Sequence, residues 1–279
     1  MINANKEIRT ALGNALYTLT ILLVCAACVF PFLWMVSISL KTRAQSYDPS
    51  IWFFTPTFEN YRTVFQNRGI AKFLINSLII AVGTTGISLV LGSLTAYGLA
   101  RFDFKRKEDL AFWILSLRML PPMAAVLPFF VMVSLLKVFD KHMVLIICYM
   151  LFNIPFTIWM MRSFFEEIPK ELEESAQVDG CTFVQRIYKV VLPVAMPGIV
   201  ATAIFCIIQS WNEFVFALFL TANNANTLPT TVQNFLSVSG VMWGEMSAVG
   251  VVSTAPMIIF AMLVQKHMIR GLTFGAVKG

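Results

Sequence analysis

The sequence is short of charge: Asp, Glu, Lys and Arg make up 13% of its 279 residues, while 58% are hydrophobic. A soluble domain carries roughly one-quarter charged residues, so this chain is not one. Histidine is nearly absent, and the two present, His142 and His267, lie far apart at the ends of apolar runs. That placement argues against a metal site. Of the five cysteines, Cys25, Cys28, Cys148 and Cys206 fall inside apolar segments. The Cys25-Ala-Ala-Cys28 spacing matches a redox or metal pair only in form, and without a nearby histidine these read as small buried apolar residues. Catalytic grammar is missing as well. The sequence has no Gly-x-x-x-x-Gly-Lys loop to cradle the phosphates of ATP, no His-Glu-x-x-His and no Gly-x-Ser-x-Gly. The net charge of +6 is not gathered into the basic stripe that nucleic acid requires. Hydrolysis of ATP by the phosphate-loop route, zinc-dependent hydrolysis, serine-type acyl transfer and nucleic-acid binding are excluded as the work of this chain.

What is present is length of apolar run. Blocks of about twenty apolar residues recur, as membrane-spanning helices require, and the expected fold is an all-α polytopic membrane protein forming a single domain over residues 1–279. Six spans are expected, at about 15–38, 71–99, 109–136, 143–161, 197–220 and 246–265. The first could be taken for a signal peptide, but its apolar run is too long and no small-residue cleavage site ends it, so we read it as retained. In the second, Thr84, Ser88, Gly92, Ala96 and Ala100 recur every fourth residue, a small-residue seam that lets another helix approach closely. Prolines 121, 122 and 128 interrupt the third and free carbonyls that neighbours must satisfy. Six spans put both termini on one side. Thirteen Lys and Arg residues lie on that side and seven on the other, which places the termini, the 101–107 loop and the 163–195 loop in the cytoplasm.

The 163–195 loop holds the most unusual stretch. Glu166, Glu167, Glu171, Glu173, Glu174 and Asp179 fall within fifteen residues, in a chain with fifteen acidic residues in all. Its local grammar is a short helix. Pro169 suits a first helical position, the glutamates sit near the positive end of the helix dipole, and Gly180 stands just past the end, where positive φ is needed. A helix of about ten residues is marginal alone, so the flanking spans or a partner must hold it.

Charges inside spans are functional candidates, since each costs roughly 2.5–3.5 kcal/mol at a helix centre on insertion scales. Arg118 and Glu213 qualify, with Asn153, Gln209, Trp211 and Asn212 as companions. Two uses remain open for them: a helix–helix contact, or a solute path. An ion-coupled carrier or channel would rest on such residues, and an intramembrane enzyme would need a nucleophile–base pair that is not found.

The order Glu174-Ser-Ala, Gly180, then Val190-x-Leu-Pro193 resembles the Glu-Ala-Ala…Gly…Ile-x-Leu-Pro signature of permease subunits in ABC importers, with Ser175 for an alanine and Val190 for an isoleucine. Ser39-Leu-Lys41, Thr57-Phe-Glu-Asn-Tyr61, Trp211-Asn-Glu-Phe214 and the ending Arg270-Gly-Leu-Thr-Phe-Gly-Ala-Val-Lys-Gly279 are similar to the carbohydrate-uptake branch, the maltose-type second permease. The resemblance covers nearly the whole chain. It implies a transport subunit in the cytoplasmic (inner) membrane of a prokaryote, moving a sugar or polyol. The implied partners are a homologous second permease, an ATPase homodimer that binds ATP and Mg, and an extracytoplasmic solute-binding protein. This chain itself would bind no cofactor. The acidic helix would be the coupling helix seated in the ATPase, its contacts falling on Glu171, Glu174, Ser175, Ala176, Asp179 and Gly180, with Leu192 and Pro193 beyond. The tail, 266–279, would reach the ATPase through Arg270, Gly271, Gly275 and Lys278. Arg118, Asn153, Trp211, Asn212 and Glu213 would line the solute path.

Overall fold

A computed structural model of the chain describes residues 2–237 and 240–273, with side chains placed over 13–235 and 240–262. Twelve helices follow in order: α1 (Ile2–Ser39), the single turn α2 (Arg43–Ser46), α3 (Glu59–Gln66), α4 (Ile70–Arg101), α5 (Lys107–Ser116), α6 (Pro122–Leu135), α7 (His142–Glu167), α8 (Lys170–Val178), the single turn α9 (Phe183–Arg186), α10 (Leu192–Asn212), α11 (Val215–Leu220) and α12 (Trp243–Thr273). Two-residue strands, Leu236–Ser237 and Gly240–Val241, pair before α12. Five helices are long and apolar enough to cross a membrane, or six if one bent pair counts as a span.

Two expected spans differ. The third, expected as one helix over 109–136, is α5 and α6 bent by 89° around a 3-10 turn at Leu117–Met119. Pro121 takes an extended ψ of 129° before α6, since consecutive prolines remove two backbone donors and push the preceding residue out of the helical region. The fifth, expected over 197–220, starts far earlier: helix runs from Phe183 through a π turn into α10 and stops at Asn212. There Glu213 adopts extended backbone, and α11 is a separate short helix. By its contacts the chain divides into two compact units, Met1–Gly69 with Asn234–Thr254, and Ile70–Gln233 with Ala255–Gly279.

The second unit is built on α4 and α7. A Cβ on Gly83 would meet Ile146, and one on Gly92 would meet Thr157 at 2.6 Å and the Ile154 carbonyl at 3.4 Å. The two helices therefore run side by side in one direction, with the seam residues Thr84, Ser88, Gly92, Ala96 and Ala100 all buried. α10 packs against both. One apolar cluster joins Ile80, Leu145 and Cys148 to Val126 and Val133 of α6 and to Phe216 and Leu220 of α11. A second joins Ala96, Tyr97 and Leu99 to Met161, Phe165, Ile168, Val191 and Ala195.

At the end where α7 starts, Asp140 collects the 222–225 loop. Its carboxylate accepts from the backbone N–H groups of Ala222 (3.0 Å), Asn223 (2.9 Å), Asn224 (2.9 Å) and Ala225 (2.9 Å). Asn76 of α4 donates to the carbonyls of Asn224 and Asn226 at 2.7 and 2.9 Å, and its side-chain oxygen lies 2.7 Å from His142 Nε2. Burial would raise the pKa of Asp140, but the four N–H groups favour the charged form and leave it below its ordinary value.

In the first unit, Asn60 of α3 donates to the carbonyls of Ser39 (2.9 Å) and Lys41 (2.7 Å), and Gly244 leaves no room for a Cβ beside it. Arg68 pairs with Glu245 at 3.3 Å and lies over the Phe235 ring. No residue in the apolar window of α1 is buried within this chain.

Two outcomes are expected. Gly92→Leu overpacks the α4–α7 seam and costs about 1–3 kcal/mol, whereas at Gly86 an added Cβ meets nothing within 4 Å and Gly86→Leu is near neutral. Thermal unfolding of the purified protein compares them, and equal losses would refute the seam. Asp140→Asn lowers the unfolding temperature at neutral pH. Because the native pKa is depressed, the stability it carries is present above the ordinary carboxylate range and lost as pH falls through the native value. The gap between variant and parent therefore narrows toward about pH 3, and a pH-independent gap would count against the cradle.

Candidate functional site

Where α7 ends, Ile168 turns extended (ψ 122°) and Pro169, at φ −57° and ψ 132°, caps α8 from just outside it, one residue earlier than the first helical position expected. At the other end, Cys181 N–H donates to the Ala176 carbonyl and Gly180 N–H to the Gln177 carbonyl, both at 3.0 Å. Gly180 holds φ +81°. This pairing of bonds is the Schellman closure, and its C′ residue must be left-handed, which a glycine does at least cost. Thr182 and Gln185 then cap α9 reciprocally, and the chain continues into α10.

The face of α8 that turns inward carries Glu173 and Ala176, three residues apart and both buried. Glu173 is 6% exposed. Its Oε1 accepts from Arg101 Nε at 2.6 Å and its Oε2 from the Tyr97 hydroxyl at 2.5 Å. Arg101 also donates through Nη2 to the Ile168 carbonyl at 2.9 Å. Both side chains of the ion pair are 8% exposed. The Tyr97 ring meets Phe165 and Phe183 edge-on at 5.7 and 6.1 Å, so the phenol is held by α7 and α9 together. Arg186 of α9 donates to Gln177 Oε1 at 2.8 Å, closing the loop back on α8. A short helix that is marginal alone is thus fastened to the C-terminal ends of α4 and α7 and to α9.

The opposite face is open. Glu171, Glu174, Ser175, Gln177 and Asp179 are exposed, with Leu172 45% and Val178 87% exposed. Of the residues expected to couple, Glu171, Glu174, Ser175, Asp179 and Gly180 lie on or beside this outward surface, Ala176 is buried beneath it, and Leu192 and Pro193 begin α10. Glu173, Tyr97 and Arg101 were not among them. The sequence does hold a signal for them: Tyr97 and Arg101 stand one helical turn apart, beside the Ala96 and Ala100 seam, at the C-terminal end of α4. Of the tail positions, Arg270 and Gly271 lie near the end of α12, and Gly275 and Lys278 lie outside the described residues.

The five positions expected along a solute path are engaged as follows. Asn153, 2% exposed, donates to Ser210 Oγ at 2.7 Å, joining α7 to α10, and Trp211 is buried next to it in sequence. Asn212 donates to the Ile208 carbonyl of its own helix at 2.9 Å. Glu213 caps α11, accepting from the N–H groups of Phe216 (3.1 Å) and Ala217 (3.4 Å). Arg118 stands at the α5–α6 bend with its guanidinium 4.7 Å from the Phe156 ring centre. Among the described residues it forms no ion pair with Glu213 or any other carboxylate.

Residues 88–274 match the family model described as "Binding-protein-dependent transport system inner membrane component". In sequence the chain is similar to the trehalose transport system permease protein SugB of Mycobacterium tuberculosis, 38% identical over 260 residues, covering 92% of this chain and 95% of that protein. It is also similar to the trehalose/maltose transport system permease protein MalG of Thermococcus litoralis, 33% identical over 262 residues, 92% of this chain and 94% of that protein. Among solved structures it resembles a chain of a bacterial ABC transporter involved in the import of the acidic polysaccharide alginate, with a TM-score of 0.78 at 23% identity, covering 91% of this chain and 96% of that one.

Removing one partner of a buried ion pair strands the other charge, at a cost of about 3–5 kcal/mol, whereas replacing both by apolar residues of similar volume is often near neutral. Arg101→Leu is therefore expected to loosen α8, read as faster tryptic cleavage after the exposed Lys170. Arg101→Leu combined with Glu173→Leu restores most of the protection. If the double variant is cut as fast as the single one, the stranded charge is not the cause.

Proposed function

The chain belongs to the family of binding-protein-dependent transport system inner membrane components, and from that premise we propose that it is the permease subunit of an ATP-driven importer of a sugar or related polyol, moved through the 166–180 helix. The sugar follows from the relatives, whose names carry trehalose, maltose and diacetylchitobiose. ATP and Mg belong to a separate ATPase homodimer, in keeping with the lack of a phosphate loop here. A homologous second permease and an extracytoplasmic solute-binding protein complete the assembly. The termini and α8 face the cytoplasm, as the distribution of lysine and arginine favours.

The observation that carries the coupling reading is the two-faced character of α8. One face is locked by a buried ion pair to α4 and to the turn that ends α7, and the other offers Glu171, Glu174, Ser175 and Val178 to a partner. A load applied to the open face passes through Glu173 to α4 and through the Ile168 turn to α7. Closure of the ATPase dimer would swing α8 and rock the spans between inward- and outward-open states. Glu174 and Asp179 meet donor or cationic groups in the ATPase cleft, and the tail, 266–279, reaches the same dimer through Arg270, Gly271, Gly275 and Lys278.

An ion-coupled carrier working without ATP has less to rest on. Its two intramembrane charges, Arg118 and Glu213, are not paired, and the carboxylate of Glu213 is occupied in capping α11. We retain Arg118, Asn153 and Trp211 as candidate path residues, and assign Asn212 and Glu213 a local structural role.

The test is transport by the complete importer in proteoliposomes. Glu174→Lys removes an outward anion while leaving the Glu173 clasp intact. It is expected to cut solute uptake at least tenfold, with weakened recovery of the ATPase during purification. Gly180→Val is expected to do the same by straining the left-handed closure. Full uptake with normal ATPase recovery in both would overturn the coupling role, and uptake that survives loss of ATP but not of an ion gradient would favour the carrier.

A further inference from the structure

Just beyond α1, within the first unit, a cleft of about 240 Å³ is bordered by Trp34, Lys41, Ser46, Tyr47, Asp48 and Trp243. Lys41 is 1% exposed. Its ammonium sits 5.2 Å from the Trp34 ring centre and 5.3 Å from that of Phe54. The ammonium makes no hydrogen bond or close ion pair with any described residue and has the Asp48 carboxylate only as a longer-range counter-charge; the backbone of Lys41 is engaged, its carbonyl by Asn60 and its N–H by the Ile38 carbonyl. A lysine at a membrane interface ordinarily snorkels its charge to water, and aromatic residues there ordinarily form a belt. Lys41 does the opposite. An ammonium has three donors and no acceptors, and aromatic faces offset part of its desolvation but accept no conventional hydrogen bond. Burying such a group is costly unless an oxygen partner arrives.

The walls describe that partner. Trp243 and Tyr47 are 42% and 47% exposed, and Trp34 is half-buried. The platform is stiff: Tyr47 Oη donates to the Val241 carbonyl at 2.7 Å, and Trp52 packs on Trp34 at 5.0 Å. Flat apolar faces at fixed angles suit the C–H face of a pyranose ring. Asp48 accepts from Ser50 N–H (2.9 Å) and Ser50 Oγ (2.6 Å) through Oδ1, leaving Oδ2 for a hydroxyl donor. Ser46 Oγ donates to the Arg43 carbonyl at 2.7 Å and keeps acceptor capacity. A carboxylate and an ammonium on one small cleft disfavour a ligand of either net charge, so an anionic lipid headgroup meets Asp48 and an amine meets Lys41. A neutral polyol satisfies both, its hydroxyls accepting from Lys41 and donating to Asp48. The volume is below the roughly 300–1,000 Å³ of sites for drug-sized ligands, which fits one ring and not a whole oligosaccharide.

We propose that this cleft is a saccharide subsite, holding one neutral sugar ring on Trp34, Tyr47 and Trp243 between Lys41 and Asp48. It rests on the sugar-importer reading above, and by the orientation given there it opens on the extracytoplasmic side.

The experiment uses the complete importer in nanodiscs, without binding protein, titrated with trehalose, maltose and other neutral disaccharides and followed by saturation-transfer NMR. A saturable signal is expected for at least one sugar. Its affinity falls about tenfold in Trp243→Ala and Lys41→Met, and several-fold in Asp48→Asn, a change at an exposed residue that does not threaten folding. Trp243→Phe keeps most of the binding. Recovery of the intact complex by size-exclusion chromatography checks assembly of each variant. Affinity unchanged in Asp48→Asn and in the assembled core variants would overturn the subsite. So would displacement of the sugar by phosphatidylglycerol, which would assign the cleft to lipid. ATP-dependent uptake of the same sugars with binding protein present separates the two readings. Uptake without cleft binding sinks the subsite alone, whereas uptake of none of the panel sinks the sugar reading and the subsite with it.

Discussion

Glu173 is a carboxylate withdrawn from water, and the end of the second unit where α8 meets α4 and α7 is arranged around that fact. A charge so placed needs donors in fixed directions or it costs several kcal/mol. Here it has two side-chain donors, Arg101 Nε at 2.6 Å and the Tyr97 hydroxyl at 2.5 Å. Arg101 is itself tied to the Ile168 carbonyl. Three elements are therefore fixed by one carboxylate: α4 through Tyr97 and Arg101, the turn after α7 through Ile168, and α8 through Glu173. An interaction of this kind adds little net stability over a well-packed apolar alternative, but it tolerates few geometries.

The opposite end of the same helix pair solves the same problem by other means. Asp140 is partly buried too, yet its donors are backbone N–H groups of residues 222–225, with Asn76 bracing the loop from α4. Between the two ends α4 and α7 touch through Gly83 and Gly92 and a line of buried small residues, where close backbone approach replaces polar contacts. The pair is thus pinned by charge at each end and by shape along its length, and it behaves as one rod.

Much of this was legible in the chain. Apolar run length marks spans because the bilayer demands it, and the four-residue period of Thr84 to Ala100 marks a contact face because the helix repeat demands that. Gly180 was legible for a local reason, since a helix end that closes on itself needs a left-handed residue. What escaped was non-local or subtractive. Residue counting sees apolar side chains and not missing donors, so the prolines of the third span were visible while the 89° bend they allow was not. Glu173 is indistinguishable from Glu171 and Glu174 by composition, and only the phase of α8 against α4 decides which of the three is buried. Glu213 looked like a free intramembrane charge because its partners, the N–H groups of Phe216 and Ala217, leave no trace in side-chain identity.

Pro193 shows how a subtractive feature becomes a connection. Lacking an N–H, it cannot bond the carbonyl four residues earlier, and inside a regular helix its ring would kink the path. The turn before it is widened instead: Ile187–Val191 is π-helical, and Leu192 N–H reaches back to the Ile187 carbonyl. Helix thus runs without a break from Phe183 to Asn212, past a residue that would ordinarily end it. Only Asp179, Gly180, Cys181 and Thr182 separate the end of α8 from this helix. Gly180 is bonded into the α8 closure, Thr182 into the α9 cap, and Arg186 reaches from α9 back to Gln177. With so few residues, each committed to one helix or the other, the link has little freedom to absorb a movement of α8. The widened turn at Pro193 is what keeps α10 continuous with it.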